Sequence, residues 1–336
     1  MKLSNQSNSA DELGEMDSSN EHLVREMYSK LRYPRLDPGG KATYVAHRRY
    51  IYNRIGLDPD SFFRGKVILD AGCGTGEETL FLSTLGPDRV IGIDTSEGSL
   101  EYAEASAKAE GLRNVEFHKL SVLDETIFQD IGFDYVSSLG CIHHTPSPRR
   151  AFDNLCRLVK PGGYLATFIY NSFGHMLYNV ECKVLDWFAG SDVEARVELA
   201  RKLFDWKRNK TFRREGVEST YDARIYDKYG VLFRDSVTLG SLLSWYEDRG
   251  FRHHGSFPMY WRDMIDAFKA REGTQCGSEG AKAAIARLSE AWPGVDQARE
   301  WSVYRRFSMQ ALLLLVGLHD YGSAFRIVGQ KRMSRT

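Results

Sequence analysis

Between the apolar run Val67-Ile68-Leu69 and a helical pattern beginning at Leu80, the chain reads Asp70-Ala71-Gly72-Cys73-Gly74-Thr75-Gly76. Glycine at alternate positions lets a backbone turn tightly and approach a ligand with no Cβ in the way. A loop of this kind, following a strand and opening a helix, also points helix N-terminal amides at whatever it holds. The fold must therefore contain a strand, a ligand-sized loop and a helix in that order.

The same rhythm recurs downstream. Arg89 to Ile93 is a second apolar run ending at Asp94, Val115 to Phe117 a third, Phe133 to Val136 a fourth, and Tyr164 to Ile169 a fifth, launched by Pro161-Gly162-Gly163. Helical spacing fills the gaps at Leu80 to Leu85, Leu100/Ala103/Ala107 and Phe152/Leu155/Val159. Short apolar strands alternating with helices imply an α/β fold: a doubly wound, mostly parallel sheet covered on both faces. Around that core, at residues 65–170, the chain divides further. Residues 1–20 are polar and read as a disordered tail, and 21–64 carry two amphipathic helices separated by a turn at Pro38-Gly39-Gly40. Residues 171–236 read as a mainly helical insertion. The segment 237–336 returns to the core through the helix Leu239/Leu242/Leu243/Tyr246, a sixth strand at Phe251, helical residues 261–320 and a final edge strand from Ala324 to Gly329.

The ligand is constrained by charge. A dinucleotide fingerprint would place glycine at position 77 or 79, which hold Glu77 and Thr79. The carboxylates of Asp70 and Glu77 would repel a pyrophosphate and suit a cationic ligand. Asp94, at the end of the second strand, is placed to accept two hydrogen bonds from a ribose diol.

Composition removes other classes. Forty-five basic and forty-five acidic residues cancel, so no global field draws in nucleic acid or membrane. The five cysteines are dispersed, which gives no zinc or iron–sulfur spacing and no disulfide framework, and fits a reducing, cytoplasmic setting. The longest apolar run, Ala311 to Val316, is far short of the ~20 residues that span a bilayer, and no membrane partner is expected.

VILDAGCGTG, IGIDTS, FDYVSSLGCIHHTPSP and LVKPGGYLATF, in that order, resemble the successive motifs of class I S-adenosylmethionine-dependent methyltransferases. The resemblance covers residues 65–170 closely and 237–260 loosely. It implies S-adenosyl-L-methionine as cofactor, with Asp70, Gly72, Gly74 and Gly76 around its methionine end and Asp94 on the ribose hydroxyls. Ser121 and Val122 then fall at the adenine, where the family usually has an acid before the backbone N–H; Asp124 is a candidate substitute, with a capping role as the favoured alternative. Leu139, with Ser138 and Gly140, would pass the methionine portion, and no metal is expected.

The family binds its acceptor at the C-terminal rim of the strands, which here holds His143, His144, Tyr170 and Asn171. A histidine beside a sulfonium could take a proton from a hydroxyl or amine, so His143 and His144 are the candidate catalytic residues; packing is the alternative role. In resembling enzymes such an N-terminal segment, here with Tyr28, Tyr33, Tyr44, Tyr50 and Tyr52, forms a lid, with ordinary amphipathic packing the favoured alternative for most of these tyrosines, and the insertion commonly builds the acceptor pocket. Residues 201–214 hold seven basic residues against one acid, interleaved with Phe204, Trp206 and Phe212, a pattern that usually marks a solvated helix face and also suits an anionic substrate or RNA. The leading expectation is methylation of a small-molecule acceptor. The alternatives are an RNA (tRNA-type) modifying enzyme and a catalytically silent partner with the cofactor fold, and an oligomer is left open.

Overall fold

The computed structural model describes residues 38–128, 131–212, 225–257 and 324–333, with positions 310, 311 and 314. The expected tail, the first N-terminal helix and most of the C-terminal helical segment lie outside these residues. Helix α1 spans Pro38–Arg54, followed by β1 (Val67–Ala71), α2 (Glu77–Ser83), β2 (Arg89–Asp94), α3 (Glu97–Ala109), β3 (Val115–Lys119) and β4 (Phe133–Leu139). After a short 3-10 turn at Ile142–His144 come α4 (Pro148–Leu158) and β5 (Val159–Tyr170). The helical insertion supplies α5 (Met176–Ala189) and α6 (Val193–Phe212), and a π turn follows at Tyr226–Gly230. The chain then closes with α7 (Leu239–Asp248), β6 (Phe251–Phe257) and β7 (Ala324–Lys331).

The seven strands run in the order β3-β2-β1-β4-β5-β7-β6. The first five pair in parallel, while β7 pairs antiparallel to both β5 and β6. Successive strand residues point to opposite faces, and here both faces are covered. Leu69, Ile91 and Leu165 pack with Phe152 and Leu155 of α4 and Leu242 and Tyr246 of α7. Their neighbours Ile68, Val90 and Ala166 pack on the other face with Ile51 of α1 and Phe81 and Leu82 of α2. Two buried faces are why these strands read as unbroken apolar runs rather than as alternating ones.

Two expectations are corrected. The last strand is not an edge: β7 lies inside the sheet and β6 is the edge. Phe325 and Ile327 bury on one face and Val328 on the other, a pattern that an interior strand satisfies. Gly329 makes the fit possible, since a Cβ there would lie 2.4 Å from the Tyr246 ring. That ring crosses the strand, and its hydroxyl donates to the Ile327 carbonyl at 3.0 Å. The fifth strand starts earlier than expected, at Val159, so Val159 is not the last apolar position of the preceding helix. Its pairing with β4 slips around Pro161-Gly162-Gly163, where Gly162 sits at φ +79°.

The insertion has its own small core, in which Tyr178, Cys182 and Leu185 of α5 meet Val197 and Ala200 of α6 and Tyr229. Arg196, fully buried, donates to Asp186 and to the Gly190 and Tyr229 carbonyls, and Arg234 grips the same Asp186 from outside. Among the described residues no helix is long and apolar enough to cross a membrane.

Candidate active site

A cavity of about 500 Å³ opens where the sheet's central strands end at their C-termini. Asp70, Gly72, Gly74, Asp94, Ser121, Val122, Leu139, His143 and His144 all border it. Gly76 does not. A Cβ at Gly76 would stand 2.8 Å from the Ala103 Cβ, so this glycine serves the close approach of the loop to α3. A Cβ at Gly72 would collide with the Cys141 side chain at 2.3 Å, whereas one at Gly74 would meet nothing within 4 Å and would project into open space.

The second-strand acid holds the loop in place. Asp94 accepts the Gly74 N–H at 2.8 Å and the Ser96 N–H at 2.8 Å. Burial raises its carboxyl pKa, and these backbone donors oppose the rise. Asp70 is fully enclosed and accepts the Thr79 hydroxyl at 2.6 Å and the Ser137 hydroxyl at 2.9 Å. Burial, helped by the nearby Glu78 charge, pushes it up to about 7. At the third-strand loop the Ser121 hydroxyl accepts the Leu123 N–H at 3.1 Å, a serine turn that shapes the wall. Asp124 is exposed, is not among the residues around the cavity, and caps its own turn by accepting from Thr126.

Sequence reasoning missed a charged cluster beside the loop. Glu78, the second residue of α2, is buried and accepts hydrogen bonds from the Tyr44 and Tyr52 hydroxyls at 2.7 and 2.5 Å. Arg48 pairs with it at 2.7 Å. Burial opposes the Glu78 charge, but Arg48 and Arg326 outweigh it and hold the carboxyl below its ordinary range. Tyr44 and Arg48 border the cavity as well, so α1 forms part of the site. The signal was available: Tyr44, Arg48, Ile51 and Ile55 fall on one face of a helix.

The far end of the cavity is aromatic. The His143 ring lies between His144, with centroids 4.2 Å apart, and Tyr170, at 4.0 Å. Tyr170 in turn stacks on His175 at 4.2 Å. The two histidines are not equivalent. His144 Nδ1 bonds the Phe233 carbonyl at 3.0 Å, which fixes its ring. His143 is wholly buried, and neither of its ring nitrogens has a well-formed hydrogen bond. Burial, then the neighbouring His144 and His175, drives its pKa well below the ordinary value, so it stays neutral. Asn171, at the end of β5, uses its side-chain oxygen to accept the Phe173 and Gly174 N–H groups and turn the chain into α5. Of the basic run at 201–214, only the side chains of residues 201–204 fall within the described residues, and Phe204 stacks on Tyr229.

The site combines a glycine cradle beside an acid suited to a diol with an aromatic chamber next to it. The methyltransferase domain family matches residues 68–163. An uncharacterized protein of Synechococcus sp. is 30% identical over 200 residues, covering 56% of this chain and 48% of its own. The mitochondrial ubiquinone biosynthesis O-methyltransferase of Dictyostelium discoideum is 33% identical over 133 residues, covering 37% of this chain and 41% of its own. The chain thus spans about half the length of the curated relatives it matches. Among solved structures, PKMT2 of Rickettsia typhi superposes with a TM-score of 0.52 at 15% identity, over 90% of this chain and 55% of that one, a likeness of fold. Residues 68–163, the stretch that carries the glycine loop, Asp94 and the His143–His144 pair, are thus similar to the methyltransferase domain family.

Proposed function

We propose that this protein is an S-adenosylmethionine-dependent methyltransferase that acts on a small-molecule acceptor carrying a hydroxyl group. The observation that carries this reading is the continuity of one cavity from the Gly74–Asp94 cradle to the His143–Tyr170 chamber. The donor set fits the cofactor. Asp94 offers an anionic acceptor to a ribose diol, Asp70 and Glu77 border the part of the loop expected to face a cationic methionine end, and the space over Gly74 is free of obstruction. Val122 and Leu139 supply apolar walls, and Ser121 occupies the adenine end without the usual acid. When bound, the cofactor supplies an activated methyl group on a sulfonium.

The chain's own residues position and desolvate, which can account for much of the rate of an in-line displacement. His143 is assigned the acceptor contact and His144 the framework. A neutral imidazole with an unsatisfied nitrogen can accept a hydrogen bond from a hydroxyl, and the bond relieves the cost of a buried unpaired group, about 1–3 kcal/mol. The O-methyltransferase name of the Dictyostelium relative agrees with a hydroxyl acceptor. Free cysteines agree with a reducing, cytoplasmic setting.

Calorimetry on the purified protein tests the cofactor. S-adenosylmethionine and its demethylated product are expected to bind in the micromolar range, roughly −8 kcal/mol, and NAD not at all. Asp94→Ala should weaken that binding by about 2–4 kcal/mol while the fold survives. Binding of NAD in place of S-adenosylmethionine, or a folded Asp94→Ala variant with unchanged affinity, overturns the reading. Labelled cofactor incubated with a metabolite extract then identifies the acceptor.

A further inference from the structure

Strand β7 carries an arginine among apolar residues. Phe325 and Ile327 turn to the face that packs on α4 and α7, so Arg326 between them points to the other face, with Val328. That face meets α1 and α2, and Arg326 is only 2% exposed there. Its guanidinium carbon stands 5.4 Å over the Tyr52 ring, and its Nη1 has no hydrogen-bond partner among the described residues. Enclosing a guanidinium is costly, and an apolar side chain of similar volume would fill the space without that cost. Packing alone gives no reason for the charge.

The charge acts on Glu78. Tyr52, under the Arg326 guanidinium, donates its hydroxyl to Glu78 and lies 3.1 Å from the Tyr135 hydroxyl. Burial works against the Glu78 carboxylate, and two cations overcome it, Arg48 first and then Arg326. His47, also near Glu78, adds no charge, since burial lowers its pKa to about 4. Glu78 is in turn the anchor for what α1 presents to the cavity. It pairs with Arg48 at 2.7 Å and accepts the Tyr44 hydroxyl at 2.7 Å. Both residues border the cavity, as Asp70 and Glu77 do. A neutral Glu78 would leave Arg48 and Tyr44 without the anion that orients them.

We propose that Arg326 is a positioning residue for the cofactor: from inside the sheet, through Glu78, it holds Tyr44 and Arg48 in the cavity wall at the methionine end. This rests on the methyltransferase reading, which assigns that end to the part of the loop bordered by Asp70 and Glu77. Arg326 touches no ligand itself. Its effect passes through one carboxylate, so it should be felt by a ligand that reaches the α1 wall and not by one that stops short of it.

Calorimetry of the full chain with two probes is the test. One is S-adenosylmethionine; the other is 5′-methylthioadenosine, which keeps the adenosine and the sulfur but lacks the amino-acid end. Arg326→Met should lose roughly tenfold in affinity for the first and keep its affinity for the second. Its thermal midpoint should stay level or rise, because a buried charge has been replaced by an apolar chain. A residue that served the fold alone would not move affinity and stability in this way. Arg326→Lys, which keeps the charge, should retain most of the affinity. In a Glu78→Gln background, adding Arg326→Met should change the affinity by less than about twofold, since the path is already cut. Should Arg326→Met fail to fold, Glu78→Gln alone must show the same selective loss. Equal loss on both probes, no loss in a folded Arg326→Met, or additive losses in the double variant overturn the proposal. Wild type that binds neither probe overturns the methyltransferase reading, and this inference with it.

Discussion

Asp70 shows how far a residue's role can depart from what its place in a motif suggests. Sequence puts it at the cofactor, and the structure puts it at the cavity's edge, fully buried between the Thr79 and Ser137 hydroxyls. With its carboxyl pushed up to about 7, above the ordinary 3.8, the folded state holds this proton more tightly than the unfolded chain. Its contribution to stability is therefore fully present at low pH and is lost as pH rises from about 4 to about 7. Asp70→Asn removes that ionisation and keeps a partner for both hydroxyls. Urea midpoints at pH 5 and pH 8 should show the variant gaining on wild type at the higher pH; parallel behaviour would show that Asp70 is ionised throughout. None of this was legible in the sequence, because the shift comes from burial and from Glu78, whose own charge is held by Arg48 thirty residues upstream. The place of Asp94 at the cavity was legible from the strand end beside a glycine loop, but its grip on the Gly74 and Ser96 N–H groups was not. Asp124 takes the capping alternative, accepting from the Thr126 N–H and hydroxyl in its own turn.

At the scale of elements, periodicity located β1, β2 and β5 because each is apolar on two faces, and the edge strand β3 from Val115 and Phe117 alternating with Glu116 and His118. It misplaced β7, since a short apolar run does not say which neighbours it has. The glycine loop was recognised as a unit, but its three glycines divide between two tasks. Gly76→Ala should destabilise by about 1–3 kcal/mol, because a Cβ at φ +88° is strained and would sit 2.8 Å from Ala103. Gly74→Ala meets no neighbour, so its stability cost should be limited to about 1–2 kcal/mol for the left-handed backbone, at φ +53°. Its added methyl group instead projects into the open space that the proposed function assigns to the cofactor. Urea unfolding paired with cofactor titration should thus show Gly76→Ala affecting mainly stability and Gly74→Ala mainly affinity. The reverse pattern would reassign both. Helix α1 was legible as amphipathic, yet its polar side is held as firmly as its apolar one, through Tyr44 and Arg48 on Glu78.

The whole molecule is a sheet with an independently packed arm. The α5–α6 hairpin rests on its own cluster and on Arg196 and Arg234 sharing Asp186. Asp186→Asn leaves the Arg196 guanidinium buried without its counterion, a loss of about 3–5 kcal/mol where the pair is enclosed and less here, because Asp186 is half-exposed. Because the arm has its own core, the damage should stay local. Hydrogen exchange should accelerate in residues 178–200 and leave β1 and β2 protected. Uniform loss of protection across the sheet would show that arm and sheet unfold together.

The interior position of β7 also fixes the order in which the sheet can be finished on the ribosome. Until Ala324–Lys331 emerges, β5 has no partner on its outer side and β6 has nothing to join. At typical synthesis rates, the roughly 150 residues between β5 and β7 take on the order of 10–30 s to make, and through that interval the nascent chain carries an unpaired strand edge. Such an edge is a template for pairing with other chains, so chaperone demand during synthesis should fall sharply once β7 is translated.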